Sequence, residues 1–468
     1  MRADTIAALA TALGRSALAV VRISGPAAPE LLARLAPDWR GMSRPRSAIL
    51  TELQDPSDQR PLDRALVTYF PAPGSYTGEN LVEISTHGGI LVPTLVLAAL
   101  ERAGARLAAP GEFTQRAYLN GKVDLIQAEA VRDLVDARSK ASLRVALHQA
   151  EGGLSERLAH LRESVVGLEA LLAHHLDFPE EDDPPISQAE VVRAGEEVVR
   201  GLRHLLDTAP EGALLREGAL VVLAGRPNAG KSSLFNALLG LQRAIVTEYP
   251  GTTRDALEAS VSLQGYPFRL VDTAGLREEP EAIERLGIEA ARRYLQHATV
   301  VLLCVSGEWG WGVEEEGFLE ELGVKASVIV LWTKADSFPP EPEMERERAK
   351  ENGDRLGDRV CAALPVSTVT GGGLAELRQV LCEHVFRGDR SGDDDSEQPL
   401  LTRQRQIEGV RSALGELQGF LTALRVSTPV DVAATHLRPA EAALEEVLGE
   451  ISTEDILDRV FSQFCIGK

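Results

Sequence analysis

The most specific chemical signal in the chain is a glycine-rich loop between a predicted strand and a predicted helix. Residues 219–224 form an apolar run typical of a buried strand, and residues 225–232 follow it as G-R-P-N-A-G-K-S. Glycines in such a loop let backbone N–H groups wrap around phosphates, and the helix N-terminus adds positive potential. The pattern predicts that Lys231 reaches the β- and γ-phosphates of a nucleoside triphosphate and that Ser232 binds Mg²⁺.

Two later motifs indicate which base the nucleotide carries. Residues 272–275 end a predicted strand and match D-x-x-G, in which Asp272 can hold the Mg²⁺ shell. Residues 333–336 read T-K-A-D, close to the N-K-x-D guanine motif. Asp336 can accept from the N1–H and N2–H groups of guanine, which adenine cannot match. Lys334 is expected to lie over the base and brace the phosphate loop. Thr333 replaces the usual Asn, which predicts weaker binding with the guanine preference kept.

Together with Ser367 at the end of the next predicted strand, these motifs resemble the translation-factor-related GTPases. Where Ras-like switches place a Gln that orients the attacking water, this chain has Leu276. Leucine cannot hydrogen-bond to water, so another residue must do so. Glu284 on the following switch segment is the candidate, and a solvated acidic surface is the alternative. The catalytic role predicts that Glu284→Ala retains GTP binding but loses hydrolysis.

The loop sequences also suggest a monovalent cation. No arginine finger is evident, but Asn228 lies in the phosphate loop and residues 247–253 follow as a polar loop. An Asn side-chain oxygen and backbone carbonyls suit K⁺, which could neutralise the charge that develops between the β- and γ-phosphates. Thr252 or Thr253 could bind Mg²⁺ as a further ligand.

The chain is 468 residues long, enough for two to four domains. Residues 1–120 mix strand-like runs with turns and one helix-like stretch over 91–103, which predicts a small α+β domain. Residues 121–217 and 383–468 are helical, and residues 218–382 alternate strands and helices. We therefore predict a P-loop G domain, with a mixed and mostly parallel sheet, inserted in a helical-bundle domain. Two separate helical domains are the alternative.

Two apolar stripes predict long helices. Their residues recur every three or four positions, as on a helix with one buried face. The first stripe is Leu154, Leu158, Leu161, Val165, Leu168 and Leu172, and the second is Ile407, Val410, Leu414, Leu417, Leu421 and Leu424. Because the two stripes have the same period, we expect them to bury against each other.

The composition excludes some classes of protein. The net charge is −21, so the chain is a poor general nucleic-acid binder and any RNA contact must be local or supplied by a partner. No run of about 18 apolar residues predicts a membrane span. The four cysteines, Cys304, Cys361, Cys382 and Cys465, show neither metal-ligand spacing nor a disulfide framework, which favours the cytoplasm.

Several further segments resemble the MnmE (TrmE) family of tRNA-modification GTPases over nearly the whole chain. They are Arg22–Gly25, Ser75–Glu79, His87–Gly89, Pro110–Thr114, Leu119–Lys122, Gly251–Asp255 and Cys465–Lys468. The resemblance implies an N-terminal folate-binding domain that dimerises, a five-helix domain, and G domains that pair across the homodimer with K⁺ and GTP. It also implies a partner, MnmG (GidA), which carries FAD and joins in a heterotetramer that acts on tRNA.

The resemblance also implies site residues. A one-carbon folate, 5-formyl- or 5,10-methylene-tetrahydrofolate, would bind at Arg22, Glu83, Lys122 and Lys468. Cys465 beside that site is a suspected reactive thiol, with a small apolar anchor as the alternative. K⁺ would bind Asn228, Thr247, Tyr249 and Thr252, and Mg²⁺ would bind Ser232 and Thr253. Glu284, Lys231 and Arg277 would act in hydrolysis, Arg277 by supporting the switch. The full nucleotide and ion set is Asn228, Ala229, Gly230, Lys231, Ser232, Ser233, Thr247, Glu248, Tyr249, Pro250, Gly251, Thr252, Thr253, Asp272, Thr273, Ala274, Gly275, Thr333, Lys334, Asp336 and Ser367.

The function implied is a K⁺-stimulated GTPase that helps install a carboxymethylaminomethyl-type group at C5 of a tRNA wobble uridine. One alternative is a ribosome-assembly switch, but such proteins carry a basic RNA-binding appendage and this chain is acidic. Another is a folate enzyme with a vestigial GTPase, which the intact phosphate loop and Asp272 disfavour.

Overall fold

The computed structural model describes residues 4–177, 188–240, 258–273, 292–321, 326–339, 360–386, 398–426 and 428–468. The chain divides into two compact units. The first contains residues 1–132, 149–202 and 409–468, and the second contains residues 133–148 and 203–408. No helix among the described residues is long and apolar enough to cross a membrane.

The first unit contains a six-stranded sheet with the strand order β3-β4-β5-β2-β1-β6. Its strands are β1 (Ile6–Leu9), β2 (Leu18–Ser24), β3 (Ile49–Gln54), β4 (Pro61–Phe70), β5 (Leu81–His87) and β6 (Arg106–Leu107). Helices α1 (Ala28–Leu35) and α2 (Leu91–Ala103) contribute to the apolar core on one face of the sheet, and α2 has the bounds expected from the sequence. Alternate residues along β2 and β5 enter this core, so Arg22 and Glu83, which are paired in register, lie on the opposite face.

The helices of the first unit bury the two predicted stripes. They are α3 (Glu112–Leu119), α4 (Leu125–Asp136), α6 (Gly153–Asp177), α12 (Gln404–Arg425), α13 (Val430–Ala434), α14 (Leu437–Leu448) and α15 (Glu454–Phe461), together with most of α7 (Gln188–Asp207). Eleven stripe residues are buried, whereas Leu414 is half-buried.

Other helices pack on each stripe, and the direct pairing of the two stripes stays a prediction. Helix α6 packs along α14, and α7 contacts both stripes at two glycines. A Cβ atom on Gly201 would lie 2.7 Å from Leu161, and one on Gly195 would lie 2.9 Å from Leu421. Because these glycines have no side chain, α7 approaches both α6 and α12 more closely than another residue would allow.

The second unit contains most of α5 (Lys140–Ala150) and is built on another six-stranded sheet, with the order β12-β11-β10-β7-β9-β8. Its strands are β7 (Ala219–Ala224), β8 (Glu258–Leu263), β9 (Tyr266–Asp272), β10 (Val300–Ser306), β11 (Ser327–Thr333) and β12 (Val360–Val366). Only the β8–β9 pairing is antiparallel. One face packs on α9 (Lys231–Gly240) and α11 (Leu374–Val385), and the other on α10 (Val313–Glu321). The carboxyl ends of five parallel strands therefore meet at one edge, where ligands of such sheets bind.

The chain reaches and leaves this sheet at adjacent points. Helix α8 (Ala209–Glu217) precedes β7, and residues 398–403 precede α12. The Oδ1 atom of Asp133 lies 3.3 Å from the Nε of Arg216 and 2.7 Å from an NH2 nitrogen of Arg403. Within the second unit, one carboxylate thus links the helix that precedes β7 to the segment that precedes α12. The predicted domain boundaries at residues 120, 217 and 382 stay predictions.

Candidate functional site: the nucleotide edge and the N-terminal sheet

The loop that joins β7 to α9 has the geometry of a phosphate-binding loop. Gly225, Asn228 and Gly230 have positive φ angles of 133°, 60° and 88°. A Cβ atom on Gly225 would lie 2.3 Å from a backbone carbonyl of β10, so only glycine fits there. Lys231 is 5% exposed, and its Nζ donates to the carbonyls of Gly225 and Arg226 at 2.9 and 2.6 Å. The ammonium group therefore lies within the loop that would surround the phosphates.

Asp272 lies beside this loop, as the D-x-x-G motif predicts. It is the last residue of β9, is 6% exposed, and pairs in register with Leu223 of β7. The hydroxyl of Thr273 donates to the Leu223 carbonyl at 2.8 Å. Ser232, the second residue of α9, is exposed. A hydroxyl and a carboxylate are hard oxygen ligands of the kind Mg²⁺ prefers, so these donors fit the ion.

The predicted guanine-binding carboxylate is held by two serines. Ser367 donates its hydroxyl to Asp336 Oδ1 at 2.7 Å, and Ser337 donates to Oδ2 at 3.0 Å. These hydrogen bonds, that of Ser367 first, hold the pKa of Asp336 below its usual value. The structure thus brings Asp336 and Ser367 together at the same edge as the phosphate loop, with the carboxylate exposed and ionised.

Thr333 contacts the phosphate loop directly, and the predicted place of Lys334 over the base stays a prediction. The Thr333 hydroxyl donates to the Ala229 carbonyl in the phosphate loop at 2.6 Å and lies 3.2 Å from the Val305 carbonyl. The Nζ of Lys334 instead lies 3.1 Å from Glu308 Oε2. A short hydroxyl side chain, buried between two strands, is therefore enough to link the guanine motif to the phosphate loop.

This contact makes Thr333 sensitive to loss of its hydroxyl group. Thr333→Val keeps the shape but leaves the Ala229 carbonyl without its donor, which costs about 1–3 kcal/mol. We expect GDP to bind roughly tenfold more weakly to this variant, whereas Thr333→Ser should bind as the wild type does. Isothermal titration calorimetry with GDP measures both. Wild-type affinity in the valine variant would show that the hydroxyl does not support the loop.

A second cluster lies on the N-terminal sheet around Arg22. The Nε and NH2 nitrogens of Arg22 donate to Glu83 Oε1 at 3.1 and 2.7 Å. Its guanidinium lies 5.7 Å from the ring centroids of both Tyr76 and Phe113. Burial raises the pKa of Tyr76 above its usual value, so the phenol stays neutral. The phenol oxygen lies 2.9 Å from the Thr114 hydroxyl. This is a charged pair flanked by two aromatic rings.

The C-terminal residues reach the same cluster. The Arg22 NH1 group lies 3.4 Å from the carbonyl oxygen of Gly467. A Cβ atom on Gly467 would lie 2.3 Å from the Leu9 carbonyl, so the segment packs directly on β1. Lys468 follows, and its backbone N–H lies 3.4 Å from the Cys465 carbonyl. Cys465 itself is exposed, which favours the reactive-thiol interpretation over a buried anchor.

Lys122 lies beside Gly78, which belongs to the same motif as Tyr76. A Cβ atom placed on Gly78 would lie 3.3 Å from Cγ of Lys122. The neighbouring Asn120 side chain donates to the Thr77 carbonyl at 2.7 Å. Sequence reasoning named Arg22, Glu83, Lys122 and Lys468 but missed Tyr76, Phe113 and Gly467 as members of this site. All three lie within motifs quoted above, so the motifs themselves were the available signal.

Part of the predicted site lies outside the described residues. This part comprises Thr247, Glu248, Tyr249, Pro250, Gly251, Thr252, Thr253, Ala274, Gly275, Leu276, Arg277 and Glu284. Their predicted roles in binding K⁺, binding Mg²⁺ and positioning water stay predictions.

Comparison with known proteins supplies the remaining evidence. The family model described as MnmE helical domain matches residues 125–465, and the one described as GTP-binding protein TrmE N-terminus matches residues 5–122. The tRNA modification GTPase MnmE of Laribacter hongkongensis is 40% identical over 100% of this chain and 99% of its own length. The protein of the same name from Heliobacterium modesticaldum is 39% identical over 100% of both chains. Among solved structures, Aquifex aeolicus Era bound to GDP.AlF4- aligns with a TM-score of 0.29 and 23% identity, covering 42% of this chain and 66% of that one.

Proposed function

Because the chain belongs to the MnmE family of tRNA modification GTPases, we propose that it is a K⁺-stimulated GTPase that modifies the wobble uridine of certain tRNAs. In this proposal the chain works with an FAD-containing partner, MnmG, to add a carboxymethylaminomethyl-type group to C5. A one-carbon tetrahydrofolate, in its 5-formyl or 5,10-methylene form, supplies the carbon. The GTPase class itself follows from membership of the family.

The observation that carries the proposal is the meeting of the nucleotide motifs at one edge of the second sheet. Lys231 lies inside the phosphate loop, Asp272 lies beside it, and Thr333 ties the guanine motif to it. A guanine nucleotide bound here would place its phosphates on Lys231 and its base on Asp336. Charge that develops on the phosphates during hydrolysis is then stabilised by a group that is already in position.

Two metal ions complete the proposed nucleotide site. Mg²⁺ would be held by Ser232 and Thr253 with Asp272 in its outer shell, and it would neutralise phosphate charge. K⁺ would be held by the Asn228 side chain and by a loop containing Thr247, Tyr249 and Thr252. The left-handed backbone at Asn228, with φ of 60°, supports a specialised role because only a few residue types adopt it readily. Glu284 and Arg277 are proposed to position the water and support the switch.

The proposed folate site is the Arg22 cluster. A reduced pterin has N–H groups from which Glu83 can accept hydrogen bonds. Its planar pyrimidine ring would fit beside Tyr76 and Phe113. Arg22 and the lysines Lys122 and Lys468 would bind the polar edges or the carboxylates of the ligand. The exposed Cys465 thiol lies in the segment that reaches this cluster.

The proposed assembly is a homodimer that binds MnmG as a heterotetramer in the cytoplasm. A chain of net charge −21 repels the phosphates of tRNA, so the partner would supply most of the phosphate contacts. The G domains of the two copies would approach each other around K⁺ during hydrolysis.

Arg22→Ala tests the folate assignment. We expect binding of 5-formyltetrahydrofolate, measured by calorimetry, to weaken about 10- to 100-fold because a charged, hydrogen-bonded group is lost. GTP turnover in K⁺ should stay unchanged. Arg60→Ala is a matched control because Arg60 directly precedes β4 of the same sheet and its side chain is 83% exposed. Equal folate affinity in wild type and Arg22→Ala would reject the site.

Two further measurements test the rest of the proposal. GTP turnover in K⁺ should exceed turnover in Na⁺, and it should fall on dilution of the dimer. Mass analysis of tRNA from cells lacking this chain should show unmodified wobble uridine. Full turnover in Na⁺ would reject the K⁺ role, and an unchanged uridine would reject the modification reaction.

A further inference from the structure

The residues that follow β10 contact the nucleotide edge at two separate places. Residues 306–315, which we term the 306–315 segment, read S-G-E-W-G-W-G-V-E-E and belong to none of the nucleotide motifs described above. Three of its carboxylates, those of Glu308, Glu314 and Glu315, and one of its aromatic rings contact cations of the phosphate loop and the guanine motif. This placement gives the segment a part in the nucleotide site.

The first contact is with the lysine of the guanine motif. The Nζ of Lys334 lies 3.1 Å from Glu308 Oε2 and 5.1 Å from the ring centroid of Trp309. The Lys334 backbone is left-handed, with φ of 57°. A carboxylate and an indole ring thus contact the ammonium group of this side chain, which restricts where the alkyl stem can lie.

The backbone of the segment is fixed to the same motif. The Gly307 N–H donates to the Thr333 carbonyl at 3.1 Å. A Cβ atom on Gly307 would lie 2.6 Å from the Phe338 carbonyl, so the segment passes directly against the T-K-A-D turn. The backbone that carries Trp309 is therefore fixed, while 45% of the Trp309 surface remains exposed.

The second contact is with the phosphate loop. The Nε and NH2 groups of Arg226 donate to the two oxygens of Glu315 at 2.6 and 2.5 Å, and the Glu315 side chain is 3% exposed. Glu315 also accepts the Gly312 N–H at 3.0 Å. A paired guanidinium and carboxylate with two parallel hydrogen bonds is a rigid connection. The side chain of Arg226 is thus turned toward α10 and held there.

We propose that the 306–315 segment holds the guanine-nucleotide site in its binding conformation. Trp309 and Glu308 position the side chain of Lys334. Glu315 positions the phosphate loop through Arg226. A site held in its binding conformation loses less conformational freedom when the nucleotide arrives. The base and the phosphate loop are common to GDP and GTP, so the segment supports both nucleotides alike. Glu308, Trp309 and Glu315 are not among the residues assigned to the γ-phosphate, so the proposal predicts an unchanged rate at saturating GTP. The inference concerns the GTP site alone and is separate from the folate and K⁺ proposals.

The test compares Trp309→Ala, Trp309→Phe and Glu315→Gln with the wild type in the full-length chain. We expect Trp309→Ala to weaken GDP binding and raise KM for GTP by about 3- to 10-fold, the range for a lost cation–π contact. Glu315→Gln should weaken binding about tenfold because Arg226 loses its buried charged partner and keeps only the exposed Glu314, 3.2 Å from its Nε. Trp309→Phe, which keeps an aromatic ring, should recover most of the affinity. In all three, kcat stays within about twofold of the wild type.

Val313→Ala is the matched control, because Val313 lies in the same segment with 83% of its surface exposed and should bind GDP as the wild type does. Thermal melting without nucleotide confirms that each variant is folded, and Trp309→Phe serves as the aromatic variant if Trp309→Ala unfolds. Unchanged GDP affinity in folded Trp309→Ala and Glu315→Gln would overturn the proposal. A lower kcat with unchanged GDP affinity would also overturn it. Equal GDP affinities in Trp309→Ala and Trp309→Phe would do the same. Failure of the wild type to bind GDP would instead reject the nucleotide site itself.

Discussion

Lys231→Ala is expected to reduce GTP turnover by a factor of about 10² to 10³, the usual cost of removing one group that stabilises transition-state charge. The Nζ of Lys231 lies within hydrogen-bond distance of two loop carbonyls, inside the turn that would surround the phosphates. Alanine removes the cation and also leaves those two carbonyls without its hydrogen bonds. Affinity for GTP should fall as well, because the β- and γ-phosphates lose a positive charge. A phosphate-release assay at saturating GTP and a calorimetric titration measure the two effects.

The matched control for this variant is Lys140→Ala. Lys140 is an exposed lysine of the second unit, and its removal should leave turnover unchanged. Lys231→Arg is informative too, since the planar guanidinium does not fit a 5% exposed site shaped for a compact ammonium group. Turnover above a tenth of the wild-type value in Lys231→Ala would contradict the assignment of this residue to the phosphates.

Asp336→Asn is expected to change the base that the protein prefers. The carboxylate of Asp336 accepts hydrogen bonds, so it suits the N1–H and exocyclic amine of guanine. An asparagine amide places a donor group at one of those positions, and xanthine, which has an oxygen at C2, complements it. We expect GTP affinity to fall by at least about 10²-fold and xanthosine triphosphate to bind better than GTP, because a mismatched buried hydrogen bond is strongly rejected. Competition titrations with the two nucleotides measure the reversal.

The fold should tolerate this change. The asparagine oxygen can still accept from Ser367, and the Ser337 hydroxyl can rotate to accept from the new amide. Ser337→Ala, which leaves the carboxylate in place, should keep the preference for guanine. In the wild type, hydrogen bonds lower the pKa of Asp336, so its carboxylate stays ionised as the pH falls. GTP affinity should therefore not decline between about pH 8 and pH 5 through this group. A variant Asp336→Asn that still prefers GTP would show that another residue reads the base.

Local sequence patterns predicted much of the second unit. The phosphate loop needs glycine, a lysine and a helix start within eight positions, and such short-range requirements are visible in the sequence. The predicted strand–loop–helix at residues 219–239, Asp272 at a strand end and Ser367 directly after the next strand were all found in the described residues. The hydrogen bond between Ser367 and Asp336 was not predicted. The fold class was confirmed by the two sheets, the helices and the family matches.

Contacts between distant parts of the chain were not predictable in the same way. Glu315 and Arg226 are 89 positions apart, and Arg22 and Gly467 are 445 positions apart. Neither pair has a spacing that a pattern search would recognise. The two apolar stripes predicted buried helix faces but not their partners, since a stripe shows which face is buried and not what covers it. The role of Thr333 was also missed, because a motif defined by Asn does not say which hydrogen bond a shorter side chain can replace.

The shared carboxylate of Asp133 has a consequence for how this architecture can be altered. Arg216 and Arg403 pair with the same oxygen atom, and the Leu401 N–H donates to the Thr208 hydroxyl at 3.1 Å, so the two ends of the intervening stretch of chain lie side by side. Neighbouring ends are the property that lets a segment be inserted into or exchanged within another fold. The stretch that carries the nucleotide sheet has this property.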